Sequence, residues 1–323
     1  MTRQTIEPTV GFSDDGWRQQ WLWVDGELRA WAEVTMPLTQ SAWSGLSAVF
    51  EGIKGYRAAD GTLHIFGLQQ HLERLQDSIA FMRLRSPWST AQLAAACVES
   101  LKANGIDGDC YLQPVAAPVP PASGMYAPPL IDDPARIYIP VQPRPSLLLS
   151  ERALRCNVSS WTRISERSLP PRIKAVPNYQ NSRNAHLDAL LSGFDSPIFL
   201  NERGTVAEGP SACIAIVRGG AVITPPLSAG MLASVTRAFL CELIPAALGL
   251  PVIEREIDRT ELYTAQEAFF LGTGAEVSPI TAIDHYRIGT GAIGAVTRRI
   301  QHAYNDAIRA VDRRWLDWLT PVR

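Results

Sequence analysis

Lysine is almost missing from this chain. Only Lys54, Lys102 and Lys174 occur in 323 residues, and arginine supplies the rest of the 30 basic residues. With 32 acidic residues and a net charge of −2, there is no basic surplus of the kind that grips nucleic acid. No apolar run is long enough to span a bilayer. The polar, acidic start, "MTRQTIEPTVGFSDDGW", is unlike a secretory signal. Cys97, Cys110, Cys156, Cys213 and Cys241 are scattered and form no C-x-x-C pair, so they read as reduced, mostly buried thiols of a cytoplasmic protein. His64, His71, His186, His285 and His302 lack metal-ligand spacing and read as surface or packed imidazoles, with no metal expected. G-x-G-x-x-G and a regular βαβ alternation are both absent, which argues against a Rossmann domain.

What remains is a chain with 46% apolar and 19% charged residues, enough to bury two medium cores. "WLWVDGELRAW" alternates around Asp25-Gly26, a hairpin signal, and "SAVFEGIKGYRAADGTLHIF" reads as two strands joined at Asp60-Gly61. "GLQQHLERLQDSIAFMRL" sets Leu68, Leu72, Leu75, Ile79 and Met82 on one helical stripe. A second helix closes at Gly105 and a third, "YQNSRNAHLDALLSG", at Gly193. "ACIAIVRGGAVITPP" is a hairpin around Gly219-Gly220, and "SVTRAFLCELIPAALG" is a helix starting near Ser234. "AFFLGTGAEVSPI" is a buried strand running into a glycine turn, and "AIGAVTRRIQHAYNDAIRAV" is the last helix. The pattern predicts an α+β protein of mixed, hairpin-rich sheets. The proline cluster "VQPRPS" is the best linker. It divides the chain into a small N-terminal domain (1–141), a linker (142–150) and a larger C-terminal domain (151–323).

Lys174 lies in "PPRIKAVPNY", flanked by Ile173, Ala175, Val176 and Pro177. Apolar flanks predict desolvation, which lowers an amine's pKa and frees it to condense with a carbonyl, chemistry closed to a guanidinium. An exposed loop lysine fits those flanks equally well, and Lys174 alone does not decide between them.

Its company narrows the choice. "EGIKGY", "HLERL", "KAVPNY", "VAEGPSACIAIV", "TPPLSAGMLASVTR" and "FLGTGAEVSPI" follow in this order. Together they resemble the class IV aminotransferases, the fold-type IV family of pyridoxal 5'-phosphate enzymes, and within it the branched-chain type, over roughly residues 20 to 320. The resemblance implies a two-domain fold with the cofactor between the domains. It also implies a ping-pong transfer of an amino group between an amino acid or amine and a 2-oxo acid. Lys174 falls at the Schiff-base lysine, which also shuttles the proton at the substrate's Cα, and Tyr179 falls at the partner of the cofactor's phenolate oxygen. Glu208 falls at the carboxylate facing the pyridine nitrogen. Arg74, Val235, Thr236 and Thr273 fall at the phosphate site, with Val235 and Thr236 at a helix start that favours an anion. Phe50, Lys54, Tyr111, Gln113, Thr273 and Gly274 fall around the substrate. A homodimer or larger assembly is implied by analogy.

The chain departs from the branched-chain pattern on the substrate side. Gly45 replaces a pocket tyrosine, Lys54 an arginine, and Gln113 the arginine that handles the distal carboxylate of glutamate. Cys213 replaces an asparagine, "LPGITR" becomes "LASVTR", and the loop "APVPPASGMYAPP" is unlike the family's glycine-valine turn. An altered substrate pocket, as in an enzyme of a biosynthetic pathway, is therefore expected. Three alternatives remain: a lyase like aminodeoxychorismate lyase, a D-amino acid aminotransferase, and a catalytically silent binding protein on the same scaffold.

Overall fold

The computed structural model describes residues 17–119 and 131–322. The polar N-terminus and most of the proline-rich loop after residue 117 lie outside the described residues.

Ten strands come from the first half: β1 (Trp21–Val24), β2 (Glu27–Ala30), β3 (Val49–Phe50), β4 (Ile53–Arg57), β5 (Leu63–Phe66), β6 (Leu84–Arg85), β7 (Cys110–Leu112), β8 (Val115–Pro118), β9 (Asp133–Ile139) and β10 (Val141–Pro143). Nine follow: β11 (Leu154–Val158), β12 (Ser196–Ile198), β13 (Cys213–Arg218), β14 (Ala221–Thr224), β15 (Val252–Glu254), β16 (Glu267–Gly272), β17 (Glu276–Ile283), β18 (Tyr286–Arg287) and β19 (Leu319–Pro321). The first-half strands form two sheets, ordered β2-β1-β9-β8-β3 with β6 beside β9, and β10-β7-β4-β5-β19. The third sheet runs β12-β11-β17-β16-β13-β14-β15 with β18 beside β17. The last strand, β19, returns to pair with β5, tying the C-terminus to the first half.

The hairpins form where turn chemistry allows them. Asp25 and Gly26 both take positive φ between β1 and β2, and Gly219 and Gly220 do so between β13 and β14. The helices are α1 (Leu38–Ser44), α2 (Leu68–Phe81), α3 (Thr90–Ala103), α4 (Tyr179–Leu191), α5 (Val235–Leu248), α6 (Arg259–Tyr263) and α7 (Ala295–Ile308). Leu68, Leu72, Leu75 and Ile79 of α2 are buried on one stripe; Met82 sits just past its end and packs at the core's margin. A capping box of Ser89 and Gln92 starts α3, and Ser234 caps α5 through the Arg237 N–H.

Two features differ from the sequence reading. The short helix α1 was not expected. Two parallel crossovers also exist: β11 pairs with β12 across α4, and β14 with β15 across α5. Each crossover stands alone between hairpins, so no repeating βαβ rhythm appears in the sequence. Among the described residues no helix is long and apolar enough to cross a membrane.

Candidate active site

A cavity of about 490 Å³ opens between the first-half sheets and the third sheet. Its walls carry Lys174, Tyr179, Glu208, Arg74 and Thr273, together with Phe50, Lys54, Tyr111 and Gly274.

Lys174 stands on the short stretch that leads into α4. Its carbonyl accepts the Phe50 N–H at 3.1 Å, which joins it to β3. Its Nζ donates to the Tyr179 hydroxyl at 2.7 Å and lies 4.8 Å from the Phe50 ring centre. Phe50 and Tyr179 face each other at 5.0 Å, so amine, phenol and phenyl ring form one cluster. Burial works to lower the Lys174 pKa, as its flanks predicted. Tyr179 and Glu51 oppose it, and the net direction is upward. The expectation of a lowered amine pKa therefore fails here, because it counted the apolar flanks and not the groups that face the amine.

Glu208 is buried in the wall of the same cavity. Arg163 Nη2 lies 2.7 Å from its Oε1, the Leu232 N–H donates to its Oε2 at 3.4 Å, and Arg163 Nε is anchored on the Gly230 carbonyl. Burial raises the Glu208 pKa above its usual value, against the pull of Arg163. The glycine of "VAEG" has a steric reason: a Cβ on Gly209 would come within 2.6 Å of the Phe270 ring.

Arg74 projects off the apolar stripe of α2. Its Nε and Nη2 each donate to Glu51 at 2.8 Å, and its Nη1 donates to the Ala233 carbonyl at 2.6 Å. A guanidinium has five N–H donors, so two are left for a ligand. The Ala233 bond brings Arg74 to the start of α5, where the first N–H groups, Val235 and Thr236, have no intrahelical partner. Val235 and Thr236 lie behind the cavity wall rather than on it; Ser234 lines it. His71 Nδ1 pairs with Glu51 at 2.7 Å, and its Nε2 sits 3.5 Å from Thr273 Oγ1. Burial outweighs Glu51 in holding the His71 pKa down. Burial alone would raise the Glu51 carboxyl, but Arg74 and His71 hold it well below the usual range.

The remaining predicted residues divide. Tyr111 lines the cavity, and its hydroxyl fills the space where a Gly52 Cβ would be, which explains the glycine of "EGIK". Lys54 lines it too but is committed: its Nζ donates to buried Glu276 at 2.8 Å. Glu276 also accepts Ser146 Oγ at 2.7 Å and the Leu147 N–H at 2.9 Å, so it clamps residues after β10 to β4 and β17. Gly274 lines the cavity beside Arg144, whereas Gln113 does not line it. The sequence reading missed Glu51, His71, Arg163 and Glu276. Three of the four lie inside the quoted motifs, where the only signal was a charged or polar residue amid buried ones. Arg163 lies outside them.

Known proteins share this architecture. The sequence model of the family Amino-transferase class IV matches residues 48–283. A probable branched-chain-amino-acid aminotransferase of Aquifex aeolicus is 35% identical over 92% of this chain and 95% of its own. The branched-chain amino acid aminotransferase of Thermobaculum terrenum in its PLP form is 39% identical, with a TM-score of 0.90 over 95% of this chain and 99% of that one. The branched-chain aminotransferase of the thermophilic archaeon Thermoproteus uzoniensis, solved with norvaline, is 35% identical, with a TM-score of 0.87 over 94% and 99%. The chain therefore belongs to the class IV aminotransferases, is a pyridoxal-phosphate-dependent transaminase, and within that family is of the branched-chain aminotransferase-like kind.

Proposed function

We propose that this transaminase works through Lys174, in a cytoplasmic homodimer whose linker (142–150) joins two domains (1–141 and 151–323) around the cofactor. One observation carries the assignment of roles. The Lys174 amine, with a phenol at 2.7 Å, lines the same cavity as a buried carboxylate paired with Arg163 and a guanidinium with donors to spare.

That donor set fits pyridoxal phosphate. Arg74, the N–H groups of Val235 and Thr236, and Thr273 would hold the phosphate, a dianion suited to a helix start. Glu208 would face the pyridine nitrogen and Tyr179 the phenolic oxygen. When bound, the cofactor supplies the aldehyde that takes up the amino group and the ring that accepts the electron pair released at the substrate's Cα.

The chain's own residues do the rest. Arg163 keeps Glu208 charged in a buried place, so the carboxylate can hold a proton on the ring nitrogen. Tyr179 receives a hydrogen bond from Lys174 and fixes where its amine points. Lys174, once neutral, moves the proton at Cα. Phe50 and Tyr111 enclose the substrate side chain and keep water from the reacting carbon. The net upward direction of the Lys174 pKa means that the amine must lose a proton as the site is loaded.

The test is a donor panel. Purified holoprotein is mixed with single L- and D-amino acids, amines and β-amino acids, and loss of its visible absorption is followed. Bleaching by L-amino acids with matching oxo-acid release is expected. Bleaching by D-alanine alone, or pyruvate release without amino transfer, would replace this reading with the D-amino acid enzyme or the lyase.

A further inference from the structure

His71 is a buried imidazole, 1% exposed, set between Arg74 and Thr273. Both of its ring nitrogens have polar neighbours. Nδ1 lies 2.7 Å from Glu51 Oε2 and 3.4 Å from Arg74 Nη2, and Nε2 lies 3.5 Å from Thr273 Oγ1.

These contacts fix the tautomer. Arg74 and His71 hold Glu51 well below the usual carboxylate range despite its burial, so it is ionised and can only accept. A ring nitrogen 2.7 Å from that carboxylate therefore carries a hydrogen. A second proton is disfavoured. Burial opposes it most, and Arg74 and Lys174 add to that opposition, against the pull of Glu51. Nε2 is thus a bare acceptor, and its partner among the described residues is the Thr273 hydroxyl.

A neutral His71 therefore claims the one hydrogen of that hydroxyl. Thr273 lines the cavity, and with its hydrogen turned to His71 it shows a ligand only lone pairs. Lone pairs repel a phosphate dianion. One added proton removes the conflict. An imidazolium donates from both nitrogens, Nδ1 to Glu51 and Nε2 to Thr273 Oγ1, and frees the Thr273 hydrogen for the ligand. The charge balance favours this state. Glu51 already matches Arg74, so a phosphate dianion adds negative charge that this pair does not offset, and negative charge close by favours the protonated ring.

We propose that His71 is the proton-coupled positioning residue of the phosphate site: as the phosphate dianion seats, Nε2 takes a proton from solvent and the Thr273 hydroxyl turns from His71 to the phosphate. This rests on the phosphate placement proposed above for Arg74, the start of α5 and Thr273. Binding then takes up about one proton at His71, so affinity falls as pH rises from the His71 pKa of the free protein to the higher one of the loaded protein.

The experiment loads the full chain, freed of cofactor, with pyridoxamine 5'-phosphate, which forms no bond to Lys174 and leaves that amine's proton out of the count. Calorimetry in buffers of different ionisation enthalpy counts the protons above about pH 7, where the phosphate is already a dianion. Wild type should take up about one proton more than His71→Gln and Thr273→Val, and Thr273→Ser, which keeps the hydroxyl, should match wild type. From about pH 7 to 8 the wild-type dissociation constant should rise up to about tenfold more than that of His71→Gln. The imidazole nitrogen NMR signals of His71, assigned by their loss in His71→Gln, should pass from the neutral to the charged pattern on loading. Where His71→Gln does not fold, the Thr273→Val and Thr273→Ser pair makes the same comparison. A histidine that only packs the site would lower stability and affinity in His71→Gln without moving the proton count. That result, or a His71 ring still neutral in the loaded protein, would overturn the proposal. Pyridoxamine phosphate bound as tightly by Arg74→Gln as by wild type would defeat the phosphate placement, and the proposal with it.

Discussion

The two ends of the cavity are built on opposite electrostatic plans. At the cofactor end, each buried carboxylate arrives with its counter-charge: Glu51 with Arg74, Glu208 with Arg163. Buried pairs of this kind hold a shape, because removing one partner strands the other in a low-dielectric place. At the substrate end, Lys54 is spent on Glu276, Gln113 stands aside, and Arg144, on a clamped segment, carries a charge unmatched among the described residues. A matched end is suited to a permanent ligand, and an unmatched one to a ligand that comes and goes. The same division appears in the sequence, where the cofactor motifs keep the family's pattern and the substrate positions depart from it.

Breaking the matched end should have the larger consequences. Lys174→Ala should cut amino transfer by about four orders of magnitude, since it removes both the bonding amine and the proton carrier. Steady-state transfer and single-turnover bleaching would both report it. Next, Arg163→Met should leave Glu208 as an unpaired buried carboxylate and cost about 3 kcal/mol of stability. Its half-reaction rate should also fall, because a Glu208 pushed further upward protonates and no longer holds a charge at the ring nitrogen. Chemical unfolding with donor-driven bleaching measures both effects. Arg163→Lys should restore part of each.

A pH series sharpens the comparison. The Glu51 pKa in the folded protein lies well below its ordinary 4.5. Its stabilising contribution is therefore complete above that ordinary value and is lost as pH falls toward the folded-state pKa. Over that window unfolding takes up a proton at Glu51. In Glu51→Gln the dependence of stability on pH below 4.5 should flatten by up to about 1.4 kcal/mol per pH unit, whatever the absolute loss. Urea midpoints at several acidic pH values would show it, and parallel slopes for the two proteins would refute it. The smallest effect belongs to the substrate end. Gly52→Ala would displace the Tyr111 hydroxyl and should raise KM several-fold with little change in cofactor affinity.

Local coding separates what was legible in the sequence from what was not. Hairpins were legible because their turns are coded by adjacent residues such as Asp25-Gly26 and Gly219-Gly220. Lys174, Tyr179 and Glu208 were legible because each sits in a short ordered motif. The parallel pairings of β11 with β12 and β14 with β15 were not, since a crossover's destination is set by packing. Charge matching was equally hidden. Lys54 and Glu276 are 222 positions apart, and Arg74 and Glu51 are 23 apart. No local rule pairs them. The Lys174 pKa came out in the wrong direction because Tyr179, a near neighbour in the chain, and then Glu51, distant in sequence and close in space, oppose the effect of burial.

The most direct measurement is borohydride reduction of the holoprotein followed by peptide mass mapping. A reduced phosphopyridoxyl group is predicted on Lys174 and on neither Lys54 nor Lys102, with none recovered from Lys174→Ala. The group on either other lysine, or a holoprotein with nothing to trap, would contradict the assignment.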